Sequence, residues 1–303
     1  MIDELAFAFD ITGPVLVLLV LGRTLRTVGL VDDHFVARAN ALVFNVALPA
    51  LLFFSLAGQP VGDAFDPTLT LVGLGGTLLL IALLVLVGRL LPRDQRGVFV
   101  QGSYRGNLAI LGVALAVATY GSKVLPLVAL YIAIVTTVYN VVAVWVLESS
   151  GALRQIGRNP IILGIAAGFL VSLLGLPVPL VASRTGEYLS GMALPIALLC
   201  IGANLDSGSL RAHGGTIALA TFFKLVVSPL LLVGLGLAAG LDGERLGVLF
   251  FLAASPTASA SYIMARQMTS HGALAAEIIA VTTALGVISY TAGLALLRAT
   301  GLV

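Results

Sequence analysis

Polar residues able to grip a carboxylate fall inside two otherwise apolar stretches of this chain. Residues 96–118 carry Gln101, Ser103, Arg105 and Asn107, and residues 247–268 carry Ser255, Thr257 and Ser259 around Pro256. Amides, hydroxyls and a guanidinium form a binding set: they donate hydrogen bonds to an anion, and a guanidinium offers a carboxylate a two-pronged contact. Arg105 follows Arg96 by nine positions, so it lies roughly 13 Å along a helix at 1.5 Å per residue. Lys224 is comparably deep in residues 214–240. A basic residue at the centre of a membrane helix costs about 2.5–3.5 kcal/mol on insertion scales, so each asks for anionic company or a wet cavity. The acids within reach of the apolar stretches, Asp10, Glu148 and Glu277, fall near their ends. A substrate carboxylate is the expected partner, with Asn45 a further candidate contact. Two plainer readings stand beside it. Lys224 can snorkel to the surface or pair with Glu277, and Arg105 can tie down carbonyls freed by a helix break.

The elements that would position these groups are membrane helices. The chain has 303 residues, 59% hydrophobic and 10% charged, with a mean hydropathy of +1.10, a balance foreign to soluble globular domains. Ten apolar stretches of the length a bilayer requires run over 6–28, 36–58, 68–91, 96–118, 124–148, 160–177, 183–206, 214–240, 245–268 and 273–298. The fourth and ninth are interrupted by Gly102 and Gly106 and by Pro256. Proline removes an amide donor and clashes with the preceding turn, and glycine lets another helix come close. A broken backbone in hydrocarbon is tolerated only where it is buried in protein or lines a polar cavity. Each break opens a helix N-terminus, near Asn107 and near Thr257, that favours a negative group, but two C-terminal ends face the same place, so the sign of the substrate is left to fixed charge. Pro49 and Pro195 are expected to kink their helices around this place. Ten basic residues in the odd-numbered connections against four in the even-numbered ones put the former in the cytoplasm and both termini outside it. The acidic start, Met1-Ile2-Asp3-Glu4, reads as leading into a retained first span.

An internal repeat is visible. Ala47-Leu48-Pro49 recurs as Ala193-Leu194-Pro195, and Gly97-Val98 lies over Gly247-Val248, which sets Asn107 on Thr257. Five spans per copy is odd, so the second copy, 151–303, enters the membrane opposite to the first, 1–150. Inverted repeats with paired discontinuous helices are a common plan for secondary carriers. Asn45-Val46-Ala47-Leu48-Pro49, Arg105-Gly106-Asn107, Lys224-Leu225-Val226-Val227-Ser228-Pro229, Ser255-Pro256-Thr257-Ala258 and Ala265-Arg266-Gln267, in this order over nearly the whole length, resemble the auxin efflux carrier family in its compact bacterial form, the malate or malonate permeases. The resemblance implies a scaffold domain, a transport domain with helices four and nine crossing, and movement of organic anions, outward by direction. The long cytoplasmic loop of the plant members is missing, since Glu148 to Asn159 alone joins the halves.

The expected class is therefore an all-α integral membrane protein of ten helices in two inverted five-helix repeats. Its expected function is alternating-access carriage of small carboxylates across the cell's inner membrane. No HExxH, P-loop or GxSxG pattern supports an enzyme, and no cofactor or metal site is expected. Cys200 lacks a partner, and His34, His213 and His271 read as surface residues of connections. Asn204 reads as helix packing. A sodium- or proton-coupled carrier of the bile-acid type remains an alternative, weakened because 255–261 holds no acid; a channel or sensor is another. The expected partners are the anion and the lipid bilayer, with a homodimer left open and nothing that points to nucleic acid.

Overall fold

In the computed structural model, residues 2–57, 65–147, 160–203, 213–258 and 260–303 are described; Asn204 and Ser259 lie outside them. Every regular element of the described residues is a helix, and the only bridge among them is an isolated antiparallel pair. In order they are α1 (Ile2–Thr27), α2 (Asp33–Leu42), α3 (Leu48–Ala57), α4 (Pro67–Gly88), α5 (Arg96–Tyr104), α6 (Val113–Tyr120), α7 (Leu125–Val146), α8 (Pro160–Leu173), α9 (Leu180–Ala203), α10 (Gly214–Phe222), α11 (Ser228–Ala238), α12 (Gly243–Ala254), α13 (Ala260–Met268) and α14 (Gly272–Ala299). Among the described residues six continuous helical runs are long and apolar enough to cross a membrane: 33–54, 67–88, 122–143, 180–203, 214–238 and 272–299. The protein is a multi-helix membrane protein.

Three wide π turns, Val43–Ala47, Leu108–Gly112 and Phe223–Val227, join α2 to α3, lead into α6 and join α10 to α11. Two of them precede a proline by one residue, Leu48-Pro49 and Ser228-Pro229. A proline cannot donate to the carbonyl four residues back and its ring crowds that turn; a widened turn makes room. At the second site the carbonyl of Leu225, four residues before Pro229, is taken by the Ser289 hydroxyl of α14 at 2.7 Å. Pro195, by contrast, sits inside an unbroken α9.

Packing falls into neighbourhoods. The helix α8 lies on α3, and α9 lies on α1, α2 and α3; α4, α5, α6, α7, α10, α11, α12, α13 and α14 form a second group, joined to the first where α1 packs on α14 and α6 and where α3 packs on α7. The close seam between α8 and α3 depends on Gly164 and Gly168, where an added Cβ would sit 2.8 Å from the Pro49 carbonyl oxygen and 2.5 Å from that of Phe53. Small residues four apart allow such backbone approach between membrane helices. The main core gathers Leu69, Leu84, Phe99, Tyr104, Val128, Tyr131, Leu249 and Ile278, all buried, around the interrupted pair α5/α6 and α12/α13.

Candidate functional site

Tyr104 ends α5 and the helix resumes at the Leu108 turn, leaving Arg105-Gly106-Asn107 non-helical. In the second half, α12 ends at Ala254, and Ser255 takes an extended conformation (φ −51°, ψ 130°), as the residue before a proline is driven to do. The two interruptions lie antiparallel, with Gly106 opposite Thr257. Asn107 N donates to the Pro256 carbonyl at 2.7 Å, and Ala258 N donates to the Arg105 carbonyl at 2.9 Å. The Thr257 hydroxyl donates to the Gly102 carbonyl at 2.6 Å, while Thr257 N donates to the Thr282 hydroxyl of α14 at 3.2 Å. Backbone groups that neither helix can satisfy thus satisfy each other, which burial demands.

Two cations reach this place from different directions, and each is held by neutral oxygens. Arg105 is 5% exposed; its guanidinium donates to the Asn140 side-chain oxygen at 2.6 Å and to the Tyr139 carbonyl at 3.3 Å, both on α7, and touches the Met264 sulfur at 3.5 Å. The Tyr104 hydroxyl shares the Tyr139 carbonyl at 3.0 Å, and the two tyrosine rings stack edge-on with centroids 5.2 Å apart. Lys224, fully buried in the third π turn, donates to the Ala253 carbonyl at 2.9 Å, and Ser228 donates to the same oxygen at 3.2 Å. Ala253 O is where the amide of residue 257 would bond if α12 continued. Lys224 therefore caps the broken helix end, where a positive charge is favoured; its ammonium neither reaches the surface nor bonds Glu277. Among the described residues no ion pair joins a carboxylate to Arg105 or Lys224. A Cβ on Gly106 would stand 3.2 Å from Lys224 Nζ and 3.3 Å from the Ser255 carbonyl oxygen, and one on Gly102 3.0 Å from Ile278, so both glycines make room for what lies against the breaks.

The other residues singled out from the sequence divide. Gln101 is fully buried and donates to Met264 Sδ at 3.5 Å, leaving its side-chain oxygen without a partner among the described residues. The Asn107 side chain is buried and does not cap the turn that follows it. The hydroxyls of Ser103 and Ser255 donate back to the carbonyls of Phe99 and Phe251 in their own helices. Asn45 is exposed, with its amide on the Ala41 carbonyl at 2.7 Å, in a segment that packs on α8 and α9. Pro49 meets Gly164. Asn140, Tyr139, Met264 and Thr282 are contacts that sequence reasoning misses, because their partners lie far along the chain.

The histidines require a correction. His213 and His271 do not stand apart on the surface: their rings meet edge-on with centroids 6.3 Å apart. His213 Nδ1 lies 3.5 Å from the buried carboxylate of Glu277, and His271 Nε2 lies 2.9 Å from Asp94. Each stands immediately before the first residue of a helix, α10 and α14, without a side-chain capping bond, and the packing of α10 on α14 brings the two together.

An all-helical membrane protein with two interrupted helices joined back to back, and unpaired cations at the junction, has the makings of a transporter rather than an enzyme. The chain belongs to the membrane transport protein family, whose profile matches residues 11–156 and 143–292. It is similar to a Rhizobium meliloti protein named "Putative malonate transporter", 29% identical over 276 residues that make up 86% of each chain. It is also similar to an "Uncharacterized transporter" of Methanothermobacter thermautotrophicus, 25% identical over 91% of this chain and 93% of that one. The Escherichia coli K12 "Uncharacterized transporter YfdV" is 26% identical over 83% and 85% of the two chains.

Proposed function

We propose that this protein is a secondary carrier of small carboxylates, outward in direction, working by alternating access around a crossover of the two interrupted helices. One observation supports this above others: Arg105 and Lys224, both buried beside the breaks, hold only neutral acceptors. A substrate carboxylate would complete the charge balance that the protein leaves open. It would lie near Asn107 and Thr257, against the open N-terminal turn at Leu108, with Arg105 as its principal contact and Gln101 beside it. Lys224 fills the position of a coupling cation, or lends it a proton. The name of the Rhizobium relative supports a dicarboxylate of malonate's size.

In this reading the ten apolar segments are ten spans in two inverted halves, with the termini on the outer side of the inner membrane. The α1, α2/α3, α8 and α9 neighbourhood serves as scaffold and the remaining helices as the moving domain, meeting where α1 packs on α14 and α3 on α7. Purified protein in liposomes tests it: labelled malonate should exchange across the membrane with saturable kinetics. Flux that rises linearly with concentration, or single-channel current, would count for a pore instead; no flux of any mono- or dicarboxylate would remove the substrate class.

A further inference from the structure

Two buried donors, one in the last turn of α5 and one at its C-cap, converge on one sulfur atom. Arg105 Nη1 and Gln101 Nε2 each lie 3.5 Å from Met264 Sδ. A thioether is a weak acceptor, whereas a guanidinium carries five N–H donors, and beyond the sulfur only the Asn140 and Tyr139 oxygens take any of them. The neighbourhood has further unsatisfied polarity. The Gln101 side-chain oxygen has no hydrogen-bond partner among the described residues, and neither has the hydroxyl of Ser261, which is 2% exposed. Ser261 stands one turn before Met264 on α13, and residues three apart share a helix face. Protein interiors rarely leave several buried polar groups short of partners at one place. Here they surround a flexible side chain, one whose three rotatable bonds let it fill a gap and leave it again.

We propose that Met264 is a stand-in for the substrate: its sulfur occupies the point where a carboxylate oxygen binds between Arg105 and Gln101, with Ser261 as an additional donor, and the anion enters by displacing it. Charge-assisted N–H···O bonds to a carboxylate are shorter and stronger than contacts to sulfur, so the exchange favours an anionic oxygen over a neutral ligand. Met264 thereby sets the affinity and the anion selectivity of the site and keeps its donors covered while it is empty. This rests on the carboxylate-carrier reading above.

The test is malonate binding to the purified full chain, followed by ligand-dependent thermal shift, for wild type, Met264→Leu, Met264→Ala and Met264→Gln. Removing the acceptor should tighten binding: Leu, which keeps the packing, and Ala, which also opens space, should both lower the apparent Kd about threefold or more. Gln presents an amide oxygen to the same donors and should raise it by a similar factor without loss of melting temperature. The opposite order, or unchanged affinity in folded Leu and Gln variants, would overturn the stand-in role; the Leu and Gln pair decides the matter even where Ala unfolds. Failure of the wild type itself to bind malonate or any other carboxylate would instead strike the proposed function.

Discussion

Lys224 Nζ lies 2.9 Å from the carbonyl oxygen of Ala253, in the last turn of α12. Pro256 ends that helix, the amide of Thr257 turns to Thr282, and the orphaned carbonyl becomes the anchor of a buried cation. A helix break and a membrane-embedded charge, each costly alone, here offset one another.

Replacing Lys224 by Met should separate stability from transport. Ser228 still donates to Ala253 O in the variant, and exchanging a buried charge for an apolar side chain of similar volume is often neutral or stabilising. The melting temperature should hold or rise while malonate flux falls at least about tenfold, equivalent to about 1.4 kcal/mol. A collapse of melting temperature would assign Lys224 a purely structural role.

Glycine substitutions should sort by what their Cβ meets. Gly106→Ala pushes a methyl to 3.2 Å from Lys224 Nζ and 3.3 Å from Ser255 O; overpacking of this kind costs about 1–3 kcal/mol. Gly75, inside α4, has open space around it, and Gly75→Ala should stabilise by about 0.5–1 kcal/mol through helix propensity. Paired thermal-unfolding curves in detergent check both signs.

Ser289→Ala removes the donor to Leu225 O and should cost about 0.5–1.5 kcal/mol. In a Pro229→Ala background, where residue 229 regains an amide, the same change should cost less. A double-mutant cycle reads the difference, and strict additivity would show that the proline does not govern this hydrogen bond.

How much of this is written in the sequence depends on the range of the interaction. Gly106 and Pro256 mark the ends of α5 and α12 because backbone chemistry is local, and the depth of Arg105 and Lys224 follows from counting residues. What holds those cations is not local. Asn140 is 35 positions from Arg105 and Met264 is 159 away, and nothing in the residues around either one marks it as the partner of Arg105. The π turns at Val43–Ala47 and Phe223–Val227 leave only the proline that follows each as a clue, and Leu108–Gly112 leaves none. His213 and His271 read as isolated loop residues because their meeting requires α10 to pack on α14. Lys224 shows the same limit from the other direction: its depth is legible, but its acceptor is a main-chain oxygen that exists only because another helix stops.

The central claim is that the Arg105 pocket lacks a resident counter-charge and that the substrate supplies it. Asn140→Asp tests it with minimal change of shape, setting a carboxylate where a neutral oxygen now stands 2.6 Å from the guanidinium. The variant should fold with equal or greater thermal stability and bind malonate at least about tenfold more weakly, a loss of about 1.4 kcal/mol. Malonate affinity unchanged in a folded Asn140→Asp protein would contradict the account.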